Sequence, residues 1–199
     1  MLLLTLLVGC SGKSDNKEAA TAAVVRGFAT ATFRGPTTHE TLDDGRLGFD
    51  HPTSWKLHTF AKYADLLSNR QLGINSNTRV RNPCRHDPDT NEVTCGAPLD
   101  EMQPASVYLQ WSVIEPATAQ PAESDSATVS GSNIEIDGRD ATITARDSCG
   151  NIHGDREFSF LVSVAPQRTY WVLACVRGPG QKGLEANVLA TLRSIHVTA

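Results

Sequence analysis

Between Glu157 and Arg177 the chain alternates in a way that only paired strands satisfy. Phe158, Phe160, Val162 and Val164 fall on one side and Glu157, Ser159 and Ser163 on the other. A loop follows around Pro166, and Tyr170 to Val176 is then apolar on both faces. That pattern predicts a hairpin of Glu157–Val164 with Thr169–Val176, whose second strand lies inside a sheet and is covered above and below. The period then changes. Leu184, Val188, Leu192 and Ile195 recur at helical spacing after Gly183, with Leu189 beside them, so an amphipathic helix from Leu184 is expected to pack on that sheet. The fold class that follows is α+β, a central antiparallel sheet with helices on its faces.

Further strands are legible upstream. Val107, Leu109, Trp111 and Val113 alternate with Tyr108, Gln110 and Ser112, a half-buried strand. Ile134 to Arg139 reads as a strand entering a turn, with Ala141-Thr142-Ile143 leaving it. Leu47 and Phe49, then Trp55 and Leu57 beyond a break at Pro52, form two short strands. Asp65 to Gln71 suits helix or strand equally, and periodicity decides little as far as Val80. Residues 82–98 hold three prolines and the polar run Arg85 to Glu92, a surface loop, while Pro116 to Ser126 is low-complexity connector. From Ser11 to about Gly45 few large apolar residues occur, which reads as tether. Asp15 and Glu18 form a capping-box pattern that could open a loosely held helix reaching Phe28 or Phe33. The expected organisation is therefore a signal segment over 1–9, a tether over 10–45 and one globular domain over 46–199, a length suited to a single domain.

The tether begins at a cysteine. Met1 to Gly9 is almost wholly apolar and ends in Leu7-Val8-Gly9-Cys10, which resembles the lipobox of bacterial lipoproteins. An apolar run delivers the site to the bilayer, the small Gly9 admits a peptidase, and only a thiol forms the thioether to diacylglycerol. Nine residues cannot span a hydrocarbon core, which needs about 20 in a helix, so the segment is a processed signal. A signal ordinarily opens on a basic region, whereas Met1 is followed by leucines, so the natural start is expected upstream. The competing reading, a buried strand with Cys10 a core thiol, fits poorly with the polar sequence after it. Acyl chains, palmitate among them, contribute about 0.8 kcal/mol per buried methylene and would hold the protein on the extracytoplasmic face of the cell membrane.

Of five cysteines, Cys84, Cys95, Cys149 and Cys175 then remain, an even number in an exported chain. Two disulfides follow, with three conceivable pairings; Cys84 with Cys95 and Cys149 with Cys175 are expected. The first would close a Pro-rich loop that has no core, and the second would pin the segment leaving Ala145 against a central strand. Zinc would need closely spaced ligand pairs, and Cys84-Arg85-His86 with Cys95 lacks them. Net charge is −4 with both signs interspersed, which leaves no footprint for nucleic acid and no polybasic membrane patch.

Catalytic signatures are wanting in the sequence. No G-x-S-x-G occurs, and Ser14 to Lys17 matches S-x-x-K only by overlapping Ser14-Asp15-Asn16 in the tether. Gly178-Pro179-Gly180 puts proline where a phosphate cradle needs an N–H, so it reads as a turn. His39, His51, His58, His86, His153 and His196 are scattered without metal-ligand spacing. His153-Gly154-Asp155 is the best polar candidate, and a turn held by the aspartate explains it more simply than a dyad. Trp55, Trp111 and Trp171 suit core better than a ligand pocket. No catalytic residue, cofactor or metal is assigned. The expected activity is that of a non-catalytic binding or envelope protein with an unknown protein or small-molecule partner; the alternative is an envelope hydrolase with an unrecognised site.

Gly48-Phe49-Asp50-His51-Pro52-Thr53-Ser54-Trp55-Lys56, Ile136-Asp137-Gly138-Arg139-Asp140-Ala141 and Leu189-Ala190-Thr191-Leu192-Arg193-Ser194-Ile195 together resemble the PsbP and Mog1 fold. They are similar in particular to uncharacterised cysteine-bearing actinomycete lipoproteins that share it. The resemblance covers landmarks over residues 47–197 and implies an α/β/α sandwich. Members of that fold bind partners as different as a photosynthetic complex and a small GTPase, so no residue role carries over.

Overall fold

In a computed structural model, which describes residues 14–59, 70–82, 84–90, 93–95, 98–114, 131–165 and 168–198, the two alternating segments near the end of the chain pair as their pattern requires. β10 (Arg156–Ala165) lies antiparallel to β11 (Arg168–Arg177), with Phe158 opposite Ala174, Phe160 opposite Val172 and Val162 opposite Tyr170. Around them the described residues form a seven-stranded antiparallel sheet. Its other members are β3 (Lys56–His58), β4 (Arg70–Ser76), β7 (Ser106–Ile114), β8 (Ser132–Ile136) and β9 (Arg139–Arg146), in the order β3-β4-β7-β11-β10-β9-β8. Asp137 and Gly138, with φ of 53° and 70°, make the two-residue turn between β8 and β9 that a right-twisted hairpin favours.

Two expectations about the sheet need correction. β7 is buried on both faces, since Tyr108 and Ser112 are enclosed along with Val107, Leu109, Trp111 and Val113. The polar face disguises this because its groups satisfy one another: the Tyr108 hydroxyl donates to Gln110 Oε1 at 2.8 Å. The reverse holds for β11, where Tyr170, Val172, Ala174 and Val176 are sealed but Trp171 and Leu173 stay half-buried on the other face. Trp171 keeps that partly open position by donating its indole N–H to Ser159 Oγ at 2.9 Å.

The sealed face is covered by two helices and a second sheet. α2 (Gln181–Arg193) begins three residues before Leu184 and buries Val188, Leu189 and Leu192. α1 (Ser14–Thr30) lays Val24 and Phe28, one turn apart, into the same core, with the Phe28 and Phe160 rings 6.1 Å apart. Helix α1 approaches α2 closely at Gly27, where an added Cβ would stand 3.1 Å from Leu189 Cδ1. Both helices thus lie on one face. The second sheet has the order β1-β2-β12, from β1 (Thr37–Leu42), β2 (Leu47–Pro52) and β12 (His196–Val197). Phe49 of β2 stacks on Trp111 at 4.0 Å, and the Trp111 indole donates to Asn75 Oδ1 at 2.7 Å, so the ring is buried with its polar atom paired. The tether expected over 10–45 is therefore corrected: α1 contributes Val24 and Phe28 to the core and β1 contributes Leu42. Their apolar positions are sparse, which is why composition reads as tether, but each one is used.

On the opposite face, near one end, Ile74, Val80, Leu99, Met102 and Tyr108 form a smaller cluster around a disulfide between Cys149 and Cys175. The loop expected over 82–98 contains a two-stranded pair, β5 (Cys84–His86) with β6 (Val93–Cys95), in which Cys84 stands directly opposite Cys95. The Cys149–Cys175 bridge closes a separation of 26 residues, for which chain entropy gives about 3.5 kcal/mol. A Cys149→Ala, Cys175→Ala double variant should lose stability of that order in denaturant titration; an unchanged midpoint would show that packing alone holds this face.

Candidate functional site

The turn between β1 and β2 is the most strained backbone in the described residues. Leu42 pairs with Leu47, and between them Asp43, Asp44 and Gly45 take φ of 56°, 55° and 83°. For the two aspartates this left-handed conformation costs roughly 1–2 kcal/mol each. What offsets the cost is the Asp43 carboxylate, 1 % exposed, which accepts from Arg70 Nη2 at 2.6 Å, from the Tyr170 hydroxyl at 2.6 Å and from Arg168 Nη2. Three elements of two sheets thereby meet on one side chain: the β1–β2 turn, the start of β4 and the start of β11.

The electrostatics follow from that geometry. Burial alone would raise the Asp43 carboxyl, but the hydrogen bonds from Tyr170, Arg70 and Arg168 and the Arg168 charge outweigh it, and its pKa is lowered. The Tyr170 hydroxyl is pushed up to about 12 by burial and by the adjacent carboxylate. Tyr170 is thus a fixed donor at neutral pH.

Beside this cluster lies a pocket of about 260 Å³ lined by Arg46, Arg139, Val164, Ala165, Arg168, Tyr170, Val197 and Thr198. The Arg139 side chain is held by donating to the Val164 carbonyl at 3.1 Å and the Val197 carbonyl at 3.4 Å. Thr198 Oγ1 donates to the Gly45 carbonyl at 2.9 Å, which fixes the chain end against the strained turn. Asp137 borders the same region: it accepts from the Val197 N–H at 2.8 Å, and that bond comes first among the causes of its lowered pKa.

None of the residues weighed from sequence as catalytic, metal-binding or lipid-bearing belongs to this site. Cys10 lies outside the described residues. His153 is exposed in a left-handed turn, and Asp155 Oδ2 accepts from the Gly178 N–H at 2.8 Å, so the aspartate serves the turn. Trp55 and Trp111 are core, on the opposite side of the large sheet from Trp171, and the three share no pocket. His39 pairs with Asp50 at the surface at 2.8 Å. His51 is 2 % exposed, between Phe49 and Trp55, with Nδ1 bonded to the Pro52 carbonyl. Among the described residues no three His, Cys, Asp or Glu side chains converge as metal ligands. The arginines of the pocket are dispersed from residue 46 to residue 168, so no single motif marks them; their traces are the Asp44-Gly45 turn before Arg46 and the Asp137-Gly138 turn before Arg139.

No family model matches the chain, and no curated protein does. It is similar to a crystal structure from Bacteroides thetaiotaomicron VPI-5482 at 10% identity and a TM-score of 0.41, over 84% of this chain. The chain spans 50% of the length of that protein, and at such distance the likeness carries no argument about the site.

The Asp43 cluster gives a signed pH dependence. A carboxyl whose folded pKa lies below its unfolded value of 3.8 stabilises fully above that value and less as pH falls through the folded one. Asp43→Asn should destabilise the protein by roughly 3–5 kcal/mol at pH 7, because two arginines lose their buried counter-charge. The variant's stability should also fall less steeply than the wild type's below about pH 4. Parallel acid-unfolding curves would refute the assignment.

Proposed function

We propose that this chain is a lipid-anchored protein of the extracytoplasmic face of the cell membrane, non-catalytic, which binds a small molecule or a protein. The observation that carries the reading is the Cys149–Cys175 bridge in a chain whose Cys10 closes a lipobox-like Leu7-Val8-Gly9-Cys10. Disulfides persist in oxidising compartments, and an exported chain with this leader is taken to the membrane surface for acylation. The register of β5 and β6 supports a second bridge, since opposite residues in an antiparallel pair lie about 4.5–5.5 Å apart at Cα, a separation that Cys84 and Cys95 can close.

The PsbP/Mog1 likeness, with its actinomycete lipoprotein branch, belongs to the same proposal. Its support is the antiparallel sheet, with Trp55 buried in the core between β2 and β3 and the Asp137-Gly138 turn joining β8 to β9, followed by the terminal helix. Among the described residues both helices are on one face, so a full α/β/α sandwich is not part of the reading.

In cells, the mature N-terminus should carry diacylglyceryl mass on Cys10, and Cys10→Ala should leave the protein unprocessed or release it from the membrane fraction. Non-reducing peptide mapping should recover Cys84–Cys95 and Cys149–Cys175. A mature chain with a free Cys10 thiol, or one starting elsewhere, would overturn the anchor, and free thiols at the other four would overturn the compartment.

A further inference from the structure

We infer that the cleft between α1 and α2 is a binding site for a small aliphatic carboxylate, with its chain against the small residues of the two helices and its charged end between Arg34 and Lys182. The inference rests on the binding-protein reading above and supplies its ligand class.

The cleft exists because the facing stripes of the two helices are built from small residues. Ala23, Gly27 and Ala31 recur at helical spacing along α1 and just past its end, and Ala186 and Leu189 answer them from α2. The helices touch at Gly27 and Leu189, and beside that contact a cavity of about 390 Å³ is left unfilled. Its floor is Val24 and Leu189, both buried in the main core, and Ala23, Ala31 and Ala186 form its walls. The volume falls within the roughly 300–1,000 Å³ of small-molecule sites, and these surfaces offer an aliphatic chain only aliphatic contacts.

Charge is gathered at one end of the cleft. The Arg34 N–H donates to Asn187 Oδ1 at 3.0 Å, which fastens the chain after α1 to α2. Its guanidinium reaches the first turn of α2, since a Cβ added at Gly183 would stand 3.6 Å from Arg34 Nη1. Lys182, the next residue along, lines the same cleft. Both side chains are exposed, and among the described residues no hydrogen bond or ion pair engages either of them. The other charged groups of the lining are already engaged: Arg156 Nη1 pairs with Asp147 Oδ1 at 2.5 Å, and Glu185 Oε1 accepts from Gln181 Nε2 at 2.8 Å. Three cations and one carboxylate thus line the cleft, Asp147 answers Arg156 from outside it, and one positive charge is left over, the complement of a monoanion. Two like charges set side by side repel, and a carboxylate between them replaces that repulsion with two charge-assisted hydrogen bonds. An inorganic anion would leave the aliphatic floor uncovered, and a neutral hydrocarbon would leave the cations unanswered; an aliphatic acid uses both.

The test is titration of the full chain, in lipid nanodiscs, with hexanoate, read by the amide shifts of Gly27, Ala31 and Ala186. Saturable binding is expected, with acetate and hexanol each weaker by about tenfold or more, since one lacks the chain and the other the charge. From butanoate to hexanoate each added methylene should tighten binding by up to about fourfold. Arg34→Gln and Lys182→Gln, both at exposed positions, should each weaken hexanoate by about tenfold. Ala186→Phe, which fills the cleft from its half-buried wall, should abolish binding. Arg26→Gln, exposed on α1 outside the cleft, should leave it unchanged. Hexanol or acetate binding as well as hexanoate, equal binding by wild type and Arg34→Gln, or no saturable shift at millimolar hexanoate would overturn the inference. Membrane fractionation of Cys10→Ala reports on the anchor independently, so the loss of one reading does not disguise the loss of the other.

Discussion

The Asp43 carboxylate is the contact through which the two sheets are registered. Apolar packing between β2 and the large sheet is strong but not directional, because Phe49 on Trp111 would tolerate small slides. The ionic cluster is directional. It fixes the β1–β2 turn to the starts of β4 and β11 through three donors, and it holds two aspartates in a backbone conformation that they seldom adopt. Once that turn is fixed, Arg46 follows at a defined place, Thr198 caps Gly45 from the chain end, and the wall of the neighbouring pocket is set. A buried ion cluster of this kind is a weak source of net stability and a strong source of geometry.

The fold was far more legible than the site. Strong period-two alternation located β10 and β7, a run apolar on both faces located β11, and helical spacing located α2, because those segments carry their burial in local pattern. Misreadings arose where burial was set by distant partners. Tyr108 and Ser112 look like a solvent face, yet they are enclosed because their hydroxyls find partners within the sheet. Val24, Phe28 and Leu42 are too thinly spread to mark a core element, yet each one is buried in the main core. β4 contains Gly73 and Asn75 and has a register shift at Gln71/Gly73, so its alternation is broken. The candidate site has no periodic signature, because arginines far apart in sequence meet only once the strands are paired.

The two faces of the large sheet are closed by different chemistry. Aromatic and aliphatic packing from α1, α2 and β2 seals one face, whereas the other is covered in part by a small cluster with a covalent bridge through it. On the face where the described residues form only the smaller apolar cluster, a crosslink adds most, because constraint of the unfolded chain substitutes for buried area there. Trp171 and Leu173, beyond that cluster, remain half-buried beside polar neighbours.

The strand order also bears on when this protein can fold. β11 lies between β7 and β10, and β12 completes the small sheet by placing Val197 opposite Leu47, a residue far earlier in the chain. Until residues 168–198 are available, β7 lacks one of its two neighbours, α2 is missing from the core, and Asp43 has neither Arg168 nor Tyr170. Such non-local pairing is slow, since loop closure must be accomplished before contacts reward it. A nascent chain that emerges from the ribosome amino end first therefore cannot complete its native core until residues 168–198 have emerged as well.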